Sequence, residues 1–345
     1  MTRTHSERLT IAMPSKGTLH EKTLDFLRSA GLRFRPSGPG RDYVGTLGGA
    51  PGVDVLLLRA DEIPERLESG GAQIGITGED LRLENGSDAG ATYRLIPDLG
   101  YGHARLVVAV PRVWIDVSNM HDLEEVASIY RVRHGRPLRV ATKFPRLTRE
   151  FFVLHGVRDY MIVRSLGATE GAPASGAADL SVDLSSTGAT LAQNHLKDLE
   201  DGTIVDSQAG LMASANPDHW NDARCATLVR IVDLIESRMA ASNELVLRAW
   251  APRARARAIF DALNAGDFRC APMTALPSEA EAQPDGTREL VWLCRRDVVQ
   301  AAAKTLRDEG CTGVVATAAD FVFRPTLERL EEFRALVEIP TGATP

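Results

Sequence analysis

The stretch VDLSSTGATL, Val182–Leu191, decides how this chain is read. An acidic, β-branched segment runs into small hydroxyl residues and a glycine, and then into AQNHL, which has a helical pattern. Strand, turn and helix in that order are the building unit of an α/β fold. Hydroxyls and a glycine directly before a helix are also what an anion-binding turn needs. Backbone N–H groups at a helix N-terminus lack intrahelical partners, and the helix dipole favours negative charge there. Glycine lets the backbone approach the anion, and Ser and Thr add hydroxyl donors. An ordinary helix N-cap uses the same residue types, so the rest of the chain has to decide.

The strand-to-loop theme recurs on both sides of that stretch. LTIAM (Leu9–Met13) ends at Pro14-Ser15-Lys16-Gly17 and is followed by HEKTLDFLRSAGL, with apolar residues at helical spacing and a stop at Gly31. VDVLLLRA (Val53–Ala60) and ARLVVAVP (Ala104–Pro111) read as buried strands, and AQIGITGEDL repeats the turn with Gly75 and Gly78. LRVATKFP and LTREFFVLHGV give strand and then helix, and GTIVDSQAGLMAS (Gly202–Ser214) reads as one strand returning late in the order. Alternating short strands and helices predict an α/β architecture with mostly parallel sheets. CATLVRIVDLIESRMAASN (Cys225–Asn243) is a long amphipathic helix. After it, the order ELVLRAWAP, RARARAIFDALN, CAPMTALP, ELVWLCRRD, VVQAAAKTLRDEG, VVATAADFVF is βαββαβ, a ferredoxin-like pattern. That predicts a separate domain over 244–325, with a helix and tail over 326–345.

The 345 residues suffice for two or three domains, and 44% apolar with 25% charged residues describe a soluble globular chain. A net charge of −6 gives no general attraction to nucleic acid or acidic membrane, so any phosphate site must be local. No apolar run approaches the ~18 residues of a transmembrane helix, and the N-terminus lacks a signal-peptide core. Cys225, Cys270, Cys294 and Cys311 are scattered, without CxxC or a Cys/His cluster. They predict reduced thiols in a cytoplasmic protein rather than zinc ligands or a disulfide framework.

Four strand-ending loops carry the candidate chemistry: PSKG, RADE, TGED and SSTGAT. In open α/β sheets, ligands bind beyond the carboxyl ends of the strands. Lys16 beside Gly17 fits a phosphate contact, or a solvated lysine. Arg59 ends an apolar strand and fits either an anion contact or a structural pair with Asp61 or Glu62. Asp179 and Asp183 lie four residues apart, on one face of a strand. An acid directly before an anion loop makes sense if the ligand also carries a sugar, whose hydroxyls donate to carboxylates. The plainer readings are a surface acid for Asp179 and a surface acid with an N-cap role for Asp183.

A carboxylate followed by S-T-G-x-T at a helix start resembles the 5-phosphoribosyl-pyrophosphate loop of phosphoribosyltransferases. Further stretches narrow the likeness: IAMPSKGTL, LLLRADEIPERLESGGAQIGITGEDLRLE, LGYGHARLVVAVP, LRVATKFPRLTREFF and GATEGAPASGAADLSVDLSSTGATLAQNHL. In this order, over about Leu9–Ser214, they resemble the ATP phosphoribosyltransferase family, the first enzyme of histidine biosynthesis.

The resemblance implies a bilobal type II periplasmic-binding-protein-like catalytic unit, with 1–104 plus 202–236 as one lobe and 105–201 as the other. It implies that N1 of ATP attacks C1 of phosphoribosyl pyrophosphate with release of pyrophosphate. It implies Mg²⁺ held mainly by substrate phosphates. Ser186, Thr187, Gly188, Ala189 and Thr190 would cradle the 5-phosphate and Asp183 would take ribose hydroxyls. Glu170, in GATEG, would sit near ribose or metal; the plainer alternative is a solvated loop glutamate. Lys16, Gly17 and Arg59 would face pyrophosphate or ATP phosphates, and Asp80 with Thr142–Pro145 would line the cleft. His103 and His195 lie near the matched stretches, where a lone histidine is more often a surface residue than a catalyst. The family has a short form that works with a regulatory subunit, and a long form with a ferredoxin-like domain that binds histidine. The stretches MPSKG and ATKFPRLTREFF resemble the short form, while the βαββαβ end resembles the long form. The expected assembly is a homo-oligomer, dimer to hexamer, with histidine as effector or with a domain that only assembles. Two positions depart from the family pattern: Thr18 where arginine is usual, and Gln73 where an acid is usual. Thr18 keeps open a weak or inactive paralogue acting as a regulatory subunit; a bilobal small-molecule-binding protein is the other alternative.

Overall fold

The computed structural model describes residues 7–38, 43–86, 90–164, 169–265, 270–273 and 286–337. The chain forms two compact units, one of residues 1–228 with 328–345 and one of residues 229–327.

The first unit holds two sheets. In chain order, β1 (Leu9–Pro14), α1 (Gly17–Ser29), β2 (Arg33–Pro36), β3 (Val44–Gly48), β4 (Val53–Leu58), α2 (Ile63–Glu68), β5 (Ile74–Gly78), α3 (Glu79–Asn85) and β6 (Thr92–Ile96) come first. Next are β7 (Ala104–Pro111), α4 (Met120–His134), β8 (Leu138–Thr142), α5 (Pro145–Leu154), β9 (Tyr160–Arg164), β10 (Leu180–Ser185), α6 (Ala189–Gln193), β11 (Leu196–Ser207) and β12 (Ala209–Ser214). One sheet has the order β2-β3-β4-β1-β5-β12-β6 and the other β11-β7-β10-β8-β9. β1 is parallel to both β4 and β5, and β8 is parallel to both β9 and β10. The chain thus leaves the first sheet after β6, builds the second, and returns in β12. This double crossing is the bilobal path that the resemblance implies.

Gly202–Ser214 is therefore two strands, not one. Its first part is mostly half-buried and pairs with β7 through shifted register, and its second part is wholly buried beside β5 and β6. The break falls at Gln208, whose carbonyl accepts the amide of Glu79 at 3.2 Å. The two crossing segments bond to each other: Leu99 N–H donates to the Ala209 carbonyl at 2.9 Å, and Ala209 N–H to that of Tyr101 at 3.0 Å. Gly102, at φ +76, needs the left-handed conformation there, and a Cβ would meet the Ala209 nitrogen at 3.3 Å.

The alternation of β7 explains its place at the centre. Leu106, Val108 and Val110 join Leu138, Val140, Leu180, Val182 and Phe152 in one core, while Val107 and Ala109 face Leu191 and Leu196 on the other side. Leu81 and Leu83 of α3 pack against the first of these cores. Glu84 at the end of the same helix accepts the amides of Arg146 and Leu147 at 2.9 Å each, satisfying orphan donors in the first turn of α5. Gln73, the departure from the family acid, is buried: its Oε1 accepts the Thr10 amide at 2.9 Å and its Nε2 donates to the Gly70 carbonyl at 3.2 Å. A carboxylate there would lack that donor.

α7 (Asp222–Asn243) begins in the first unit and ends in the second. The second unit continues with β13 (Glu244–Pro252), α8 (Ala256–Ala265), β14 (Ala271–Pro272), β15 (Thr287–Arg295), α9 (Val299–Asp308) and β16 (Val314–Thr317). The order β14-β15-β13-β16 with antiparallel pairs is the expected ferredoxin-like sheet. Trp292 is fully buried in its core. The last strand is shorter than VVATAADFVF, because β16 lies at an edge and its pairing with β13 ends at Thr317. Most of TALP and the loop EAEAQPDG lie outside the described residues. α10 (Glu328–Leu336) belongs to the first unit. Its Phe333 is fully buried between Tyr93 and Trp220, with ring centroids 5.3 Å from each.

Candidate active site

Strand register carries the TGED and SSTGAT loops to the crossing. Gly78, at the carboxyl end of β5, pairs with Ala209, and Ser185, at the carboxyl end of β10, pairs with Arg105. Both partners adjoin the crossing, so both parallel edges end beside it.

On the first sheet, the PSKG and RADE loops are neighbours: Ser15 N–H donates to the Leu58 carbonyl at 2.7 Å. Lys16 is the extended N-cap of α1, and Gly17 enters the helix at φ +79, a conformation that costs other residues strain. Lys16, Gly17 and Thr18 are exposed, and no acidic residue occupies the first turn of α1. Arg59 makes the pair foreseen with Asp61, its Nη2 and Nε at 2.8 and 3.0 Å from the carboxylate, and both side chains are exposed. An exposed pair is worth under about 1 kcal/mol, so an anion could redirect the guanidinium at little cost.

Asp80 differs from its expectation as a cleft-lining group. It is 4% exposed and its carboxylate accepts the Ser207 hydroxyl, while its amide donates to the same oxygen at 3.1 Å. Burial pushes this carboxyl above its ordinary range. Asp80 fastens α3 to the last residue of β11, and its local sequence gave no sign of a partner so distant in the chain.

On the second sheet, β8, β9 and β10 end together. Asp183 and Glu170 come within side-chain hydrogen-bonding reach of each other, with Lys143 near by. Burial, with Glu170 adding to it, pushes the Asp183 carboxyl up to about 6. Its Oδ1 also accepts the Leu184 amide at 2.8 Å. Within Thr142–Pro145, Thr142 is fully buried and its hydroxyl accepts the Phe144 amide at 2.9 Å, Phe144 is buried, Pro145 is half-buried and Lys143 is exposed. Lys143 escaped the sequence reading as a residue in its own right. The available signal was a lone cation at the end of an apolar strand, the same signal that marks Lys16 and Arg59.

The SSTGAT turn is built as its letters suggest. Gly188, at φ +74, is the N-cap of α6, and its amide donates to Ser185 Oγ at 3.1 Å. The Ala189 amide donates to Thr187 Oγ1 at 3.4 Å. Ser186, Thr187, Ala189 and Thr190 are exposed around this helix start. Ser185, which the sequence reading did not single out, is buried and shapes the turn from beneath.

Asp179 stands at the opposite end of β10 from Asp183. Its carboxylate takes hydrogen bonds from Arg136, Arg139 and the Tyr130 hydroxyl, and is far from the phosphate turn in strand position. His103 and His195 are both surface residues. His103 is exposed 3.7 Å from Asp98, and His195 is an exposed turn residue at φ +57 that follows α6. Replacing His195 with glycine relieves left-handed strain but adds chain entropy, each worth about 1 kcal/mol. His195→Gly is therefore expected to keep activity within about twofold and stability within about 1 kcal/mol, as steady-state rates and thermal melts will show.

Among the described residues no helix is long and apolar enough to cross a membrane, and no group of three metal-capable side chains occurs. The family model described as "HisG: ATP phosphoribosyltransferase" matches residues 59–237. A protein of Bradyrhizobium diazoefficiens named ATP phosphoribosyltransferase is 42% identical over 326 residues, 94% of this chain and 97% of that one. One of the same name from Afipia carboxidovorans is 50% identical over 242 residues, 70% of this chain and 74% of its own. Another from Rhodopseudomonas palustris is 41% identical over 340 residues, 95% of this chain and 99% of its own. The chain belongs to the ATP phosphoribosyltransferase family.

Proposed function

We propose that the two loop edges beside the crossing carry ATP phosphoribosyl transfer, the first step of histidine biosynthesis. The observation that carries this reading is the Asp183–Glu170 carboxylate pair at the end of β10, directly before the SSTG turn. The turn and the α6 N-terminus hold the 5-phosphate through Ser186, Thr187, Gly188, Ala189 and Thr190. Asp183 accepts from the ribose hydroxyls, and Glu170 adds negative charge beside the sugar. The bond from C1 to the pyrophosphate oxygen breaks as the bond from C1 to adenine N1 forms, and the ribosyl carbon becomes cation-like. A preorganised pair of carboxylates favours that charge without a covalent nucleophile. Lys16, Gly17, Arg59 and Lys143 meet the phosphates of pyrophosphate or ATP. Asp80 acts from a distance, by fixing the crossing. Mg²⁺, held by the substrate phosphates, would supply charge neutralisation for the leaving pyrophosphate.

The second unit is read as the regulatory and assembly part of a cytoplasmic homo-oligomer, up to a hexamer, with histidine as effector. The test uses the purified protein alone with ATP, phosphoribosyl pyrophosphate and Mg²⁺. Phosphoribosyl-ATP formation is followed by ultraviolet absorbance, with and without histidine. Expected is product that falls when histidine is added. Product insensitive to histidine removes the effector; no product, with or without a short-form partner subunit, overturns the catalytic reading.

A further inference from the structure

Three of the four cysteines gather in the core of the second unit: Cys270 and Cys294 belong to its buried cluster and Cys311 packs against it. Two of them face each other. β14 and β15 run antiparallel with Ala271 opposite Leu293 and Pro272 opposite Trp292. One residue before Ala271 and one after Leu293, Cys270 comes opposite Cys294. Their thiols are in hydrogen-bonding contact, and both are reduced. Directly opposed residues of an antiparallel pair have Cα atoms about 4.5–5.5 Å apart. A disulfide spans about 4.4–6.8 Å, so the backbone is already placed for one.

Buried cysteines often serve only as small apolar residues. Burial pushes the Cys270 thiol up to about 12 and raises that of Cys294, so neither reacts readily in the closed sheet. The setting of Cys270 is what separates this pair from an inert one. β14 is two residues long and lies at the sheet edge, and Cys270 keeps 7% exposure while Cys294 has none. A short edge strand with few hydrogen bonds opens at low cost.

We propose that Cys270 and Cys294 are a reversible redox-modification site, forming an intrachain disulfide when a peroxide is present. On opening of β14, the Cys270 thiolate attacks one peroxide oxygen; the O–O bond breaks, and Cys270 becomes a sulfenic acid with release of the first water. Cys294 then attacks that sulfur. The S–S bond forms, the S–O bond breaks, and the leaving hydroxide takes the Cys294 proton as the second water. Two thiols and one hydrogen peroxide give one disulfide and two waters, and a dithiol reductant reverses the change. The bond ties β14 to β15 and closes the chain between 270 and 294.

The test treats the full-length protein with hydrogen peroxide, alkylates the remaining thiols under denaturing conditions and maps the peptides by mass. Expected is a linked pair of peptides containing Cys270 and Cys294 that separates on reduction, with Cys225 and Cys311 still alkylated. Cys270→Ser and Cys294→Ser each abolish the link, whereas Cys225→Ser and Cys311→Ser retain it. The oxidised wild type is expected to melt several degrees above the reduced protein, because the link restricts the unfolded chain. The peptide map of the wild type stands even if a serine variant folds poorly. Full alkylation of both thiols, a link from Cys270 to Cys311, or a link between two chains overturns the proposal.

Discussion

Asp183→Asn is expected to lower kcat/KM by about 10²–10³-fold while making the unliganded protein more stable at pH 8. The two effects share one cause. Asp183 is held partly buried against Glu170, so its charged form is disfavoured and its pKa rises from 3.8 to about 6. The sign follows from proton binding. Between about pH 4 and 6 the folded protein holds a proton at this site that the unfolded chain has released, so stability falls as pH rises through that window. Above it the full penalty persists. The penalty comes from burial first and from the neighbouring Glu170 second. Asparagine removes the repulsion and the pH dependence together. Thermal melts at pH 4 and pH 8 check this: the variant should match the wild type at pH 4 and exceed it at pH 8. A variant that loses activity without gaining stability at pH 8 would mean that the carboxylate is not under electrostatic strain. Saturating substrate and Mg²⁺ are expected to narrow the stability gap, since a cation or ribose hydroxyl beside the pair compensates the charge.

Local chemistry was legible in the sequence, and distant partners were not. The SSTGAT turn could be read because its features are confined to a few adjacent letters: a glycine at φ +74, hydroxyls that cap neighbouring amides, and a helix start. The Arg59–Asp61 pair could be offered beside an anion contact for the same reason, its partners being two residues apart. The ferredoxin-like unit followed from alternating periods of apolar residues, which mark strands and helices without any knowledge of what they pack against. Asp80 shows the limit. Its letters, TGED, suggest an exposed turn, yet Ser207 buries it from 127 positions away. The division of Gly202–Ser214 fails similarly, because both halves have strand-forming residues and only pairing shows that they join different sheets. Cys270 with Cys294 is a juxtaposition of the same kind, set by register and topology, whereas Asp183 and Glu170 were brought to one site by the family resemblance and not by their neighbours in the chain.

Asp179 gives the sharpest contrast, since it lies four residues before Asp183, just ahead of β10, and its carboxyl shifts the other way. Although burial opposes it, hydrogen bonds from Arg136, from the Arg139 side chain and amide, and from Tyr130 hold the carboxyl far below its ordinary range. The side chain is 8% exposed, with Arg136 at 2.6 Å and Arg139 at 3.1 Å. Removing one partner from a buried ion pair costs about 3–5 kcal/mol, while an exposed pair is worth less than about 1 kcal/mol. The arginines here are partly exposed, so Asp179→Ala is expected to destabilise the protein by about 2–3 kcal/mol. The pH dependence is opposite to that at Asp183. The folded state keeps Asp179 charged where the unfolded chain protonates, so its contribution is complete above about pH 4 and is lost as the solution becomes more acidic. The wild type should therefore lose stability steeply below pH 4, and Asp179→Ala should show a shallower acid slope from a lower starting point. Denaturant melts from pH 3 to pH 7 measure both. Because Asp179 occupies the end of β10 away from the phosphate turn, the fraction of variant that remains folded should keep near-normal KM for both substrates. A large rise in KM at unchanged stability would instead place Asp179 in the binding machinery and divide the roles of the two aspartates differently.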